Sequence, residues 1–259
     1  MNMSRLFLGI TLVLSLAKFS YAAIIVGYDF DDGTNTATFA ATSSDSNVTA
    51  SLFGTGSGLN DRISSNANAL ASTLDAEGNP FGTANQHSAG STRDDWGFGT
   101  LNSLAAVLAD NQFMTFSVSA NSGNELDLTS LTFRNRVNRL DRGATDYAVF
   151  TSVDGFTSGD EIHTGSITTI NNYENVVVNL SGGSFQNIGS TETVEFRIYI
   201  WGGGGNNAST ATLYDKVILN GSVAAVPEPS SFVMLGLATG LAGLGIRRRR
   251  RSMTLTDSQ

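Results

Sequence analysis

His87 and His163 are the only histidines in the chain, and cysteine is absent. Neither histidine stands at a metal-ligand or triad spacing, and without thiols there is no thiol nucleophile, Cys-based zinc site or iron–sulfur cluster. The sequence holds no Gly-x-Ser-x-Gly elbow and no Gly-x-Gly-x-x-Gly phosphate loop. Adjacent carboxylates such as Asp94-Asp95 and Asp160-Glu161 do not define a glycosidase dyad, because that chemistry depends on a separation in space. Catalysis therefore has little support, and a noncatalytic role is the stronger expectation.

Three constellations offer other chemistry. Asp29 and Asp31 follow the first apolar stretch and Asp215 lies in the last. If those stretches are neighbouring strands, their hard carboxylate oxygens suit a structural Ca²⁺. The alternative is a tight bend at Asp31-Asp32-Gly33, with Asp215 paired to a neighbouring base. Trp201, with Tyr199 two residues earlier on the same side of a strand and Gly202 to Gly205 after it, offers a ring that can stack on a sugar face. Trp96, beside Phe98, is a second such ring, although packing under loops is the commoner fate of a tryptophan. Finally, Arg134, Arg136, Arg139 and Arg142 gather half of the central region's eight basic residues. Such guanidinium groups either bind an acidic polysaccharide or pair internally, with Asp127, Asp141 and Asp146 close by in sequence.

The elements that must position these residues are strands. Val194, Phe196, Ile198 and Ile200 alternate with Glu195, Arg197, Tyr199 and Trp201, which predicts a strand over 194–201 with one face in the core. Apolar stretches at 24–30, 48–53, 113–120, 126–133, 147–153, 173–180 and 213–219, separated by Gly, Ser, Thr, Asn and Asp clusters, predict further strands. In the segment 126–133 and just beyond it, Leu131 and Phe133 should face the core and Arg134 and Arg136 the other side. Ser103 predicts an N-cap for a short helix over 104–109, and Ile63, Ala67, Leu70 and Leu74 fall at helical spacing. Eight or more strands without a long helical pattern or a fixed repeat point to an all-β, jelly-roll-like antiparallel sandwich with one or two short helices.

The ends of the chain read differently. Arg5, the apolar run from Leu6 to Ala17, and small residues Ser20 and Ala22 form an export signal over 1–22, with cleavage expected after Ala22. The passenger, 23–225, holds eight Lys/Arg against twenty-one Asp/Glu. That acidity disfavours nucleic acid as a partner and suits a soluble exported domain. With no disulfide available, the domain must be held by its core, with or without a metal. Beyond it come Val226, Pro227, Glu228, Pro229 and Ser230, then uncharged residues 231–246, then Arg247, Arg248, Arg249, Arg250 and Arg251. Two prolines can neither join a ladder nor continue a helix, so 226–230 should be extended and accessible to a protease. At ~1.5 Å per residue the apolar run spans about 24 Å, a marginal transmembrane helix. The arginines would stay cytoplasmic and halt translocation, with 252–259 as a short cytoplasmic tail.

Residues 226–251 resemble the PEP-CTERM sorting tail of exported bacterial proteins. The resemblance implies recognition by an exosortase, a membrane transpeptidase-like protease, first at the inner membrane of a Gram-negative-type bacterium and then delivery to the cell surface or extracellular matrix. The alternative is an ordinary single-pass anchor, with Gly236, Gly240, Gly243 and Gly245 as a helix-packing face. The Asp29, Asp31 and Asp215 arrangement is similar to the calcium site of carbohydrate-binding jelly rolls, and 147–156 resembles a turn-bearing stretch of β-rich PEP-CTERM proteins. The expected function is that of an exported noncatalytic surface or matrix protein. The alternative is a carbohydrate-binding module or carbohydrate-processing enzyme acting on extracellular polysaccharide.

Overall fold

The computed structural model describes residues 23–30, 39–64, 86–91, 101–137, 140, 144–170, 172–202 and 212–226. The described residues form fourteen strands and one α-helix, α1 (Leu104–Asp110). The strands are β1 (Ala23–Tyr28), β2 (Ser43–Ser44), β3 (Val48–Ala50), β4 (Gly54–Thr55), β5 (Leu59–Ser64), β6 (Gln86–Ser91) and β7 (Phe113–Ala120), followed by β8 (Asn124–Val137), β9 (Asp146–Thr151), β10 (His163–Ser166), β11 (Glu174–Asn179), β12 (Ile188–Gly189), β13 (Val194–Trp201) and β14 (Thr212–Ala225).

They divide into two antiparallel sheets. One, of eight strands, runs β11-β8-β14-β1-β2, with β12 beside β8 and the β5–β6 pair beside the start of β14. The other, of six, runs β10-β9-β13-β7-β3, with β4 also on β7. From β2 onward the chain repeatedly crosses between layers: β7 is in the smaller sheet, β8 in the larger, β9 and β10 in the smaller, β11 and β12 in the larger. An apolar core between the layers is the physical reason for such crossing, since each alternating strand buries only one face.

The alternation in β13 works as expected. Val194, Phe196, Ile198 and Ile200 are buried in the core between the sheets, as are Leu126, Leu128, Leu131 and Phe133 of β8. Phe116 bridges the layers, with its ring 5.0 Å from Phe196, 5.3 Å from Tyr28 and 5.9 Å from Phe53. Tyr28 also donates its hydroxyl to the Ser51 carbonyl at 2.7 Å, and burial pushes that phenol up to about 12.

The first and last strands are neighbours: Ala23 pairs with Gly221 and Tyr28 with Val217. Because β14 runs toward Ala225, the start of β1 and the exit at Val226 lie at the same end of the sandwich, beside the turn joining β7 to β8. Several expected boundaries shift. Of the 48–53 stretch only 48–50 is strand, as β3, with β4 just beyond it, while the last strand extends through Ala225. Ile63 lies in β5, so its helical spacing is corrected to strand, and Ala67, Leu70 and Leu74 lie outside the described residues. Among the described residues no helix is long and apolar enough to cross a membrane, and both 1–22 and 231–246 lie outside them.

Candidate functional site

The outer face of the six-stranded sheet splits into two halves. Over one half lies α1. Ser103, with an extended backbone, accepts from the Ala106 N–H at 3.3 Å, and Asn111 closes the helix in the left-handed conformation at φ 57°. This fixes Val107 into a second apolar cluster with Phe113, Ala148, Phe150 and Tyr199. Tyr199 is 1% exposed there, its ring 5.1 Å from Phe113 and 5.2 Å from Phe150. The expectation that Tyr199 flanks a sugar platform is therefore corrected: the outward side of β13 at this point is a second core, and the ring presents no face to a ligand. Trp201 is half-buried at the margin of the same cluster. Gly202 follows it at φ 85°, where a side chain would meet Thr145 Oγ1 and Asp146 Oδ2. Trp96, Phe98 and 203–205 lie outside the described residues.

The other half of this face opens as a groove of about 470 Å³ lined by Ser51, Leu52, Thr115, Ser117, Ser152, Thr193 and Glu195. A smaller cleft of about 270 Å³ adjoins it through Ser152 and Thr193 and adds Val153, Ile188 and Glu192. Glu195 accepts from Thr115 Oγ1 at 3.1 Å and from Arg197 Nε at 2.7 Å. The Arg197 guanidinium lies 4.4 Å from the Phe113 ring centre and 3.8 Å from that of Phe156. Burial pulls this guanidinium down, and the bonds and charges of Glu195 and Tyr199 more than offset it, leaving the group firmly cationic. Sequence reasoning did not single out the groove. Its signal is the shared parity of Thr115 and Ser117 on β7 with Glu195 and Arg197 on β13, which the ladder sets side by side as Ser117 with Glu195 and Thr115 with Arg197.

On the larger sheet, Asp215 and Arg134 are cross-strand partners, and their side chains meet at 2.6 Å with both residues buried. The Tyr173 ring lies 5.5 Å from the Arg134 guanidinium and 5.3 Å from that of Arg136. Burial pushes the Asp215 carboxyl up to about 6, with Arg134 and then Lys216 holding it back. Arg134 and Arg136 do share a side of β8, opposite Leu131 and Phe133, but they are buried at 5% and 0% exposure and present no open cationic patch. Arg139, Arg142 and Asp31 lie outside the described residues. Asp29 is exposed just past β1, whereas Asp215 faces Arg134. Among the described residues no group of three or more His, Asp or Glu is placed to hold a metal.

At the tail-exit end, Ala225 still pairs with Asn124, and the Val226 N–H donates to the Gly123 carbonyl at 2.8 Å. The family described as the PEP-CTERM protein-sorting motif matches residues 225–250. The chain carries a PEP-CTERM sorting motif. That motif implies an exported protein, sorted within the cell envelope and processed by an exosortase. It begins at the last residue of β14, and Val226 alone separates that strand from the Pro-Glu-Pro segment.

None of the curated proteins matches this chain in sequence. Among solved structures, the chain is similar to the K3 cleaved adhesin domain of Lys-gingipain from Porphyromonas gingivalis w83, at 14% identity over 77% of this chain and 99% of that one, with a TM-score of 0.33. The K2 cleaved adhesin domain of Lys-gingipain follows at 14% identity, 64% and 88% coverage and a TM-score of 0.30. A marine algae virus of the order Picornavirales overlaps at 11% identity, 81% and 72% coverage and a TM-score of 0.24.

Proposed function

We propose that this chain is an exported, noncatalytic surface or extracellular-matrix protein. In this reading 1–22 is the signal, 23–225 a jelly-roll-like passenger, and 226–251 the sorting tail with its transmembrane segment at 231–246. Residues 252–259 stay cytoplasmic. The tail halts at the inner membrane of a Gram-negative-type cell until the exosortase acts, and the passenger then passes to the surface or matrix. The observation that carries the reading is the meeting of a completed sandwich and a matched sorting motif at Ala225, so that the delivered part ends where the label begins. Adjacency of the first and last strands, and the repeated crossing between sheets, support the jelly-roll-like description. Fractionation of the native host expressing an internally tagged full-length chain tests it. The tag should accumulate in the surface or extracellular fraction, and persistence in the inner membrane alone would refute delivery.

Carbohydrate binding at Trp201, with Trp96 as a further ring, is the second reading, favoured by the half-exposed position of Trp201 at the sandwich margin. It proceeds without Tyr199. A structural Ca²⁺ at Asp29 and Asp31 belongs to the same reading; Asp215, already neutralised by Arg134, contributes least to it. A melting midpoint unmoved by EDTA would remove the cation.

A further inference from the structure

We infer that the open half of the six-stranded sheet's outer face binds a neutral, polyhydroxylated chain, a segment of uncharged polysaccharide. The groove lies on the tail-exit half of the face, away from Trp201, and its volume of about 470 Å³ falls within the range of small-ligand sites. The backbone groups of its floor are already bonded, either in the β7–β13 ladder or, at Ser117 and Glu195, to Ser51 and Ser152, so recognition must come from side chains. Those side chains are hydroxyls and a carboxylate, and several are already fixed in direction. Ser51 Oγ donates to the Leu52 carbonyl at 2.8 Å and accepts from the Ser117 N–H at 2.8 Å. Ser152 Oγ accepts from the Glu195 N–H at 2.9 Å, and the single Thr115 hydroxyl proton is shared between the Phe196 carbonyl at 2.9 Å and Glu195 Oε1 at 3.1 Å. Preset hydrogen-bonding groups lose little entropy when a ligand's hydroxyls replace water on them.

Charge selects among polar ligands. Glu195 is paired with Arg197 at 2.7 Å, so the floor carries a neutralised dyad rather than a bare anion that would hold a cation. Glu192 at the far wall and the acidic passenger repel polyanions. Leu52 and Val153, 68% and 38% exposed, rim the groove with apolar surface that can cover the C–H faces of sugar rings. A ligand with many hydroxyls, no charge and an apolar face satisfies all three conditions.

The experiment uses the full-length chain purified in a non-glycosidic detergent and titrated with laminarin oligosaccharides and a neutral galactomannan, with alginate as the anionic comparison. At least one neutral glycan should bind. Leu52→Ser, at a position 68% exposed, and Glu195→Gln should each weaken it about fivefold or more, the loss expected for one well-formed contact. Val177→Ser, at an exposed position on the opposite sheet, should leave it unchanged. Retention of full affinity by both groove variants, an equal loss in Val177→Ser, preference for alginate, or no binding to either neutral glycan would each overturn the inference. The titration is independent of tail processing, so its failure leaves the export reading standing and the reverse also holds.

Discussion

At the scale of single residues, the buried Arg134–Asp215 pair makes the sharpest prediction. Burial raises the Asp215 pKa from 3.8 to about 6 in the folded chain. A carboxyl with a raised folded pKa holds its proton more tightly when native, so its contribution to stability is full below about pH 4 and is lost as pH rises through about 6. Asp215→Asn removes that titration. The stability difference between the parent and this variant, measured by denaturant unfolding, should therefore change between pH 4 and 6 and be flat above pH 7; a difference constant with pH would contradict the raised pKa. Glu174 titrates in the opposite sense. Four bonds from Thr168 and Thr169 lower its pKa despite burial, so its contribution is lost on acidification, which is why the variant comparison and not the parent curve is decisive. The sequence placed Arg134 and Arg136 on one side of a strand, and β8 confirms it. It did not give the partner, because Asp215 is 81 residues away and only the β8–β14 register brings it opposite Arg134. Tyr199 shows the same gap: its parity was readable from alternation, but the helix that covers it comes from residues 104–110.

At the scale of elements, legibility followed the strength of the local pattern. β7 and β13 fall on the expected residues because apolar and polar positions alternate through them, and α1 begins at its predicted cap. β6 and β10, with sequences QHSAGS and HTGS, were not expected. They have almost no apolar residues and owe their conformation to pairing with β5, β14 and β9. For α1, Ser103→Ala should lower stability by about 0.5–1 kcal/mol, because the Ala106 N–H loses its side-chain acceptor and keeps only the Ser103 carbonyl at 3.1 Å. Equal unfolding midpoints for the two proteins would mean the cap is idle. The junction of β14 with the sorting motif makes a further prediction. Ala225 and Asn124 are cross-strand partners at a separation suited to a disulfide, and the chain has no other cysteine to mispair. Asn124→Cys combined with Ala225→Cys should slow tail removal several-fold in the host, and reductant should restore it, if the processing enzyme must loosen the last rung to take an extended substrate. Unchanged processing of the locked chain would show that the motif is read with the sheet intact.

At the scale of the whole molecule, one sandwich holds its core without a disulfide. It returns its last described strand beside its first, so that Ala23 and the start of the sorting motif lie at one end. If 231–246 crosses the membrane as proposed, the six residues from Val226 to Ser231, which can reach about 17 Å at most, would hold the passenger close to the headgroup layer for as long as the tail stays attached. In that proposed topology, delivery away from the membrane depends on cutting between the sandwich and the apolar run. Intact-mass measurement of the protein recovered from the native host's surface fraction tests this most directly. The account predicts a species that starts near Ala23 and ends before Ser231, with the apolar segment and arginines gone. A surface-delivered species whose mass and peptides extend past Arg251 would contradict it.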